Sequence, residues 1–405
     1  MRYLKRQGLK WIKSISEQCL EDKDMIKANF VTAREAAAMV KDGDTVCTVG
    51  MTLVSASESI LKALEKDFIE TGHPCGMTLL HSCGQSDRKD GIQHFAHEGM
   101  IKRIIGSHWG LQPRWMEMIA GNQVEAYCLP QGQIAQLYHS MACGLPGKMS
   151  KVGLGTFIDP RYEGGKMNDR TKPLEDIIDI MEYRGEEYMF YREIPIDVCI
   201  IRGTVCDEMG NLTTTEEAMK LEVLPAVLAA KRYGGKVIAQ VKHVAQTGTL
   251  NPKDVTVPGV FIDAIVVCDN PWEDHRQTSS WYFDPSYCGQ LRVPQGNIEP
   301  ALFNERKFIA RRGTMELYPG AVINLGTGIP NDMVGKVCNE ERVSEDVMIT
   351  VESGIYGGVQ AGGIDFGIGQ NLYAMIGHHE QMDYYNGAGV DITYMGLGEL
   401  DEMGN

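Results

Sequence analysis

Residues 196–211 recur without a gap at 390–405, and both copies finish Asp-Glu-Met-Gly-Asn. A weaker echo joins Asp42-Gly43-Asp44-Thr45-Val46-Cys47-Thr48-Val49-Gly50 to Pro319-Gly320-Ala321-Val322-Ile323-Asn324-Leu325-Gly326. Self-similarity at two points in the same order marks an internal duplication, which restricts the chain to two copies of one supersecondary plan. The division that follows is an N-terminal extension over 1–28, a first unit over 29–285, a linker over 286–310 and a second unit over 311–405. The linker belongs to a stretch from about 271 to 300 rich in Pro, Gly, Tyr and polar residues. In the first copy a helix and at least one more strand follow the shared turn, whereas the second copy reaches it at Asn405. The second unit is therefore expected to be incomplete: a truncated product, a fragment, or a unit finished by a separate segment.

Each copy carries an α/β rhythm. Thr32 and Glu35 form a capping-box pattern. A strand at 45–49, a helix at 55–68, a strand at 77–81, a strand at 124–129 and a helix at 133–142 follow. A strand at 196–201, a helix at 216–233 and a strand at 236–241 complete the first unit. Alternation of this kind predicts mostly parallel sheets with helices on their faces. Residues 160–195 are charged and read as an insertion without regular structure. The basic, mildly amphipathic stretch 1–15 reads as a peripheral helix.

Composition narrows the functional classes. A formal net charge of −15 argues against a nucleic-acid surface or a basic membrane patch. No apolar run is long enough to cross a bilayer. The eleven cysteines lack metal-site spacing, and their odd number points to a reducing, cytoplasmic compartment. His94 and His97 share a spacing that can hold a metal, but no third ligand accompanies them, so no metal site is assigned.

The chemistry gathers at Val347-Met348-Ile349-Thr350-Val351-Glu352-Ser353-Gly354-Ile355-Tyr356-Gly357-Gly358. A β-branched strand runs into a glycine turn, and its first residue beyond the strand is a carboxylate. Open α/β sheets bind ligands at the carboxyl ends of their strands. Glu352 there can act as nucleophile, base, metal ligand or loop-fixing acceptor. Gly354, Gly357 and Gly358 let the backbone approach a ligand. Gln131 ends another strand, where it serves either as a strand-end cap or at the site. Gly326-Thr327-Gly328 before Pro330 reads as a phosphate or pantetheine cradle, or as a tight strand-to-helix turn. Gly362 and Gly363 open another glycine-rich loop.

Glu352-Ser353-Gly354-x-x-Gly357-Gly358 resembles the active-site glutamate motif of family I CoA-transferases. Pro130-Gln131-Gly132 resembles an element of their first domain. Gly153-Leu154-Gly155-Thr156-Phe157-x-Asp159-Pro160-Arg161 with Gly164-Gly165-Lys166-x-Asn168 is similar to the single-chain acetate/propionate branch. The resemblance implies ping-pong movement of CoA between a short-chain acyl-CoA, of the acetyl, propionyl or butyryl class, and a free carboxylate. It implies Glu352 as nucleophile and Gln131 as its orienting partner. It implies oxyanion donors in Gly50-Met51-Thr52, and a CoA channel lined by Gly326, Gly328, Gly354, Gly357, Gly358, Gly362 and Gly363. Coenzyme A is then a substrate and covalent intermediate rather than a resident cofactor. A homo-oligomer, with or without a complementing C-terminal segment, is the expected assembly. An acyl-CoA hydrolase on the same scaffold and a non-catalytic fragment or subunit stand as the alternatives.

Overall fold

A computed structural model describes residues 27–404. The helix expected at 1–15 lies outside them. The first unit is built on eight strands: β1 (Phe30–Val31), β2 (Thr45–Thr48), β3 (Met77–Leu80), β4 (Ile101–Gly106), β5 (Glu125–Cys128), β6 (Val198–Arg202), β7 (Lys236–Val241) and β8 (Ala264–Val267). They form one sheet in the order β1-β8-β7-β6-β2-β3-β4-β5, and every pairing is parallel.

Strands buried on both faces should read as continuous apolar runs, and these do. Successive side chains feed two separate cores. Cys47, Leu80, Ile105, Cys199, Ile201 and Ala239 pack with helices α3 (Gln131–Ala142) and α4 (Val223–Arg232). Val46, Leu79, Ile104, Val198, Ile200 and Ile238 pack on the other face with α1 (Glu58–Thr71) and α2 (Pro113–Ala120). This is the two-sided burial that a parallel sheet requires.

The second unit repeats the centre of this plan. Strands β9 (Val322–Leu325), β10 (Met348–Val351), β11 (Ile355–Tyr356), β12 (Ala374–Met375) and β13 (Ile392–Tyr394) lie in the order β12-β11-β10-β9-β13. β9 pairs in parallel with β10 and β13, as β2 does with β3 and β6. The duplication extends to single hydrogen bonds. Asp197 Oδ2 accepts from the Thr45 amide, and Asp391 Oδ2 from the Val322 amide, each at 2.8 Å. Gly43 and Gly320 both take positive φ (80° and 86°) ahead of the first strand. Two differences follow. β10, β11 and β12 are joined antiparallel, so the second sheet is mixed. β6 has a strand on each side, whereas β13 is the last strand of its sheet among the described residues.

Several local expectations are corrected. Residues 160–195 do not form a structureless insertion: Ile178–Tyr183 and Glu186–Arg192 make a hairpin that Gly147–Ser150 extends to three strands. The helix expected at 216–233 begins only at Val223. Pro225 suits a first turn, and Glu217 is drawn away into a buried pair with Arg202 (2.6 Å). The Thr32–Glu35 capping box is present, on a short helix Ala33–Ala37. Helix α5 (Glu305–Thr314), capped by Asn304, leads from the expected linker into the second unit.

Candidate functional site

β10 ends at Val351, and the chain turns back at once as β11. The turn is Glu352-Ser353-Gly354. Gly354 holds φ at 97°, and a Cβ there would lie 2.3 Å from the Ile376 carbonyl. Only glycine fits that approach and that conformation. The turn is thus pressed onto the residues leading into α6 (His378–Gly387). On its other side Ser353 Oγ donates to the Gly367 carbonyl (2.6 Å). Gly367 in turn lies against the Met51 and Met219 side chains of the first unit. Glu352 therefore stands where the two units meet.

Its side chain has no side-chain hydrogen-bond donor among the described residues. Burial pushes the Glu352 carboxyl up to about 7, opposed only in part by its own backbone N–H and by the charge of nearby His378. A carboxylate in this state is poorly solvated and correspondingly reactive. Behind it Thr350 Oγ1 contacts the Tyr385 hydroxyl at 2.7 Å, and that hydroxyl donates to Asn324 Oδ1 at 3.0 Å. These contacts fix β10 against α6.

Gln131 opens α3, and its Nε2 lies 3.0 Å from His378 Nε2 on α6. Gly132 makes this closeness possible, because a Cβ there would sit 2.7 Å from Met382 Cγ. The other ring nitrogen, His378 Nδ1, is 2.8 Å from Glu222 Oε2. Glu222 precedes α4, and its second oxygen accepts from Ser82 Oγ just beyond β3. Cys83 Sγ lies 3.8 Å from His378 Nδ1. Glu222 and His378 are completely buried. Burial alone would neutralise the imidazole, but Cys83 and Glu222 hold its pKa well above the ordinary histidine value. Burial likewise opposes ionisation of Glu222, and His378 and Ser82 outweigh it, leaving that carboxyl below its usual range.

The remaining residues singled out from sequence divide into groups. The Gly50-Met51-Thr52 turn faces the Glu352 turn through Gly367, but the Met51 amide donates to Val54 O (3.1 Å) and the Thr52 amide to Gly84 O (2.8 Å). Of the three, only the Gly50 amide is left without an acceptor among the described residues. Gly354, Gly357 and Gly358 line the hairpin behind Glu352, with Gly357 and Gly358 against Tyr373 and Gln370. Gly326, Gly328, Gly362 and Gly363 are elsewhere, beside the turn Pro330–Val334, where Gly363 N–H donates to Asp332 Oδ1 (2.9 Å). A cleft of about 640 Å³ opens between the units, and none of these seven glycines lines it. Lys220, Lys253, Tyr373, Gly377 and His379 form part of its wall.

His94 and His97 are held by carboxylates of α1. His94 Nε2 lies 3.0 Å from Glu58 Oε2, and His97 Nε2 lies 2.7 Å from Glu65 Oε1. The 153–168 motif folds on itself: Asp159, wholly buried, accepts from Arg161 Nη2 at 2.7 Å. Asn168 Nδ2 donates to the Ile119 and Val124 carbonyls. Sequence reasoning missed Ser82, Cys83, Glu222 and His378, none of which sits in a recognisable motif.

Residues 30–268 match the sequence family described as Coenzyme A transferase. The chain is 40% identical over 382 residues to Caffeate CoA-transferase of Acetobacterium woodii, an overlap of 93% of this chain and 72% of the relative. It is 36% identical over 380 residues to Acetate CoA-transferase YdiF of Escherichia coli (strain K12), covering 93% of this chain and 70% of that protein. The crystal structure of Acyl-CoA transferase YdiF from E. coli O157:H7, as a thioester complex with CoA, superimposes with a TM-score of 0.84 at 32% identity. That match covers 94% of this chain and 70% of the crystallised one.

Proposed function

The chain belongs to the coenzyme A transferase family and is a CoA-transferase, and from that premise we propose that it exchanges CoA between a short-chain acyl-CoA and a free carboxylate through Glu352. The observation that carries the proposal is a half-buried carboxyl at a strand end, without a side-chain partner among the described residues, whose pKa desolvation raises to about 7.

The Glu352 carboxylate attacks the thioester carbonyl, the C–S bond breaks, and an acyl-glutamyl anhydride and CoA thiolate result. The thiolate then attacks the glutamyl carbonyl, releasing the first acyl group as its carboxylate and leaving CoA joined to Glu352 as a thioester. A second carboxylate reverses both steps. Holding the thiolate beside the anhydride supplies effective concentration and avoids loss to water. Each tetrahedral intermediate carries an oxyanion; the unengaged Gly50 amide is the donor we assign to it, with Gln131 as the orienting group. The cleft beside Gly377 is the CoA channel in this reading, with Lys220 and Lys253 as cations for its phosphates. The glycines at 354, 357 and 358 support the hairpin that carries the nucleophile.

The acyl group belongs to the acetyl, propionyl and butyryl class on this proposal, since one relative is an acetate CoA-transferase. We further propose the duplicated units at 29–285 and 311–405 as the two halves of the site. Cysteines without disulfides among the described residues support a reducing, cytoplasmic setting. The test is mass spectrometry after incubation with propionyl-CoA and borohydride. A modified peptide containing Glu352 is expected, and active enzyme with Glu352 untouched refutes the proposal.

A further inference from the structure

Joining two packed units does not call for a buried ion pair. Removing a carboxylate and an imidazolium from water is costly, and apolar side chains of similar volume would pack the same interface more cheaply. Yet Glu222 and His378, wholly buried, sit 2.8 Å apart across that interface. The pair is also directional. It starts at Ser82 Oγ, passes through both oxygens of Glu222 and both nitrogens of His378, and ends on the Gln131 amide.

We propose that Ser82, Glu222 and His378 are positioning residues that set which end of the Gln131 carboxamide is offered to the reaction at Glu352. The inference rests on the glutamyl-CoA reading above. Its basis is geometric: two nitrogens 3.0 Å apart, Gln131 Nε2 and His378 Nε2, allow two arrangements. A neutral ring protonated on Nδ1, facing Glu222, accepts a hydrogen bond from the amide N–H. An imidazolium donates from Nε2, so the amide turns its oxygen to the ring and frees its N–H₂ group. The groups facing His378 are Glu222 and Cys83 from the first unit and Glu352 from the second, with His379 beside it in α6. Glu222, anchored by Ser82, favours the imidazolium. The amide N–H₂ is then available to an oxyanion, and no proton leaves the relay during turnover.

The test is a pair of double-mutant cycles on the acyl-CoA half-reaction, with the Glu352–CoA adduct followed by mass spectrometry. Q131A is expected to lower kcat by about 100-fold, and H378A comparably, while the Q131A/H378A double variant stays within about threefold of Q131A alone. H378Q, which keeps a group able to contact Gln131, recovers part of the H378A loss. S82A removes one hydroxyl from the far end of the relay. It lowers kcat by about fivefold with KM unchanged, and this loss also vanishes in the Q131A background. Should H378A fail to fold, the S82A/Q131A cycle decides alone. Losses that multiply in the double variants, or S82A with wild-type kcat, overturn the inference. Absence of the adduct in the wild-type protein refutes the Glu352 reading instead, which separates the two failures.

Discussion

The two units carry the same strand-to-turn junction and treat it in opposite ways. Thr45 pairs with Thr78 in the first sheet and Val322 with Met348 in the second, so counting along the strands sets Ser82 opposite Glu352 and Gly84 opposite Gly354. Ser82 is wholly buried, and its hydroxyl donates to Glu222. Glu352 has a larger, ionisable group at the same point and no side-chain donor among the described residues. The first junction is a satisfied polar group of the kind interiors tolerate. The second leaves a carboxyl short of solvation, and that shortfall is where reactivity is stored. One scaffold, used twice, thus supplies both a support and a nucleophile, and the relay from Ser82 to Gln131 runs from the first to the second.

The sharpest way to break this contrast is to remove the carboxylate while keeping its shape. Glu352→Gln should lower kcat by about 10⁴-fold or more, since the anhydride can no longer form. The same variant should be the more stable one at alkaline pH. The sign follows from the raised pKa: the folded state holds its proton up to about 7, while the unfolded chain releases it nearer 4.5. Folding stability therefore falls as pH rises between these values and stays reduced above 7. At ~1.4 kcal/mol per pH unit the ionised group costs on the order of 3 kcal/mol. Chemical denaturation at pH 8 should show Glu352→Gln gaining a part of that, with the gain gone at pH 4. A variant that is inactive and less stable at pH 8 would show that Glu352 is paired in solution.

A comparison of the two turn glycines comes next in size. Gly354→Ala puts a Cβ 2.3 Å from a carbonyl oxygen at φ 97°, where neither backbone can yield cheaply. A loss of about 3 kcal/mol or more is expected. Gly84→Ala meets His108 Nδ1 at 2.6 Å, a side-chain atom that can move, and its φ lies outside the left-handed region. About 1 kcal/mol is expected for it. Equal losses in thermal melts would mean that the second turn is not held against Ile376.

How much of this was legible beforehand differs between the same two regions. The α/β plan and the duplication were readable because parallel strands are uniform apolar runs, and because 196–211 and 390–405 share their last five residues. Glu352 stood out because a β-branched strand and a glycine turn are local signals. His378 did not, since its partner Gln131 is 247 residues away and its own surroundings, Gly377-His378-His379-Glu380, carry no periodicity. Glu222 falls inside the longer helix that the sequence predicts over 216–233, and only the observed start at Val223 makes it a cap-position group facing the interface. The hairpin at 178–192 was missed because its strands, exposed along much of their length, carry Asp, Glu and Arg where a core-facing strand would be apolar. Burial that depends on distant elements leaves no local trace.

The pH profile sharpens the contrast further, with an effect that grows gradually. Only the ionised Glu352 attacks a thioester, so the rate of adduct formation should rise about tenfold per pH unit below 7 and level above it. Ser82 has no comparable titration, so S82A should keep the same limb at a lower plateau. A flat profile between pH 5 and pH 8 would show that the carboxyl is already ionised throughout.

The smallest effect tests the duplication itself. Asp197 and Asp391 each accept from the first amide of the neighbouring strand at 2.8 Å, at equivalent places in the two sheets. Each hydrogen bond is worth about 1 kcal/mol. Replacing either with Ala should cost about that much, and nearly the same in both units if the local geometry alone decides. The sheets differ in what lies beside these strands: β6 is flanked by β2 and β7, while β13 is flanked on one side only among the described residues. A strand paired on both sides keeps its register after losing one anchor, whereas a singly paired strand relies on each contact it has. Hydrogen exchange should therefore separate the two variants even where melting does not. Asp391→Ala is expected to loosen the amides of β13, and Asp197→Ala to leave those of β6 protected.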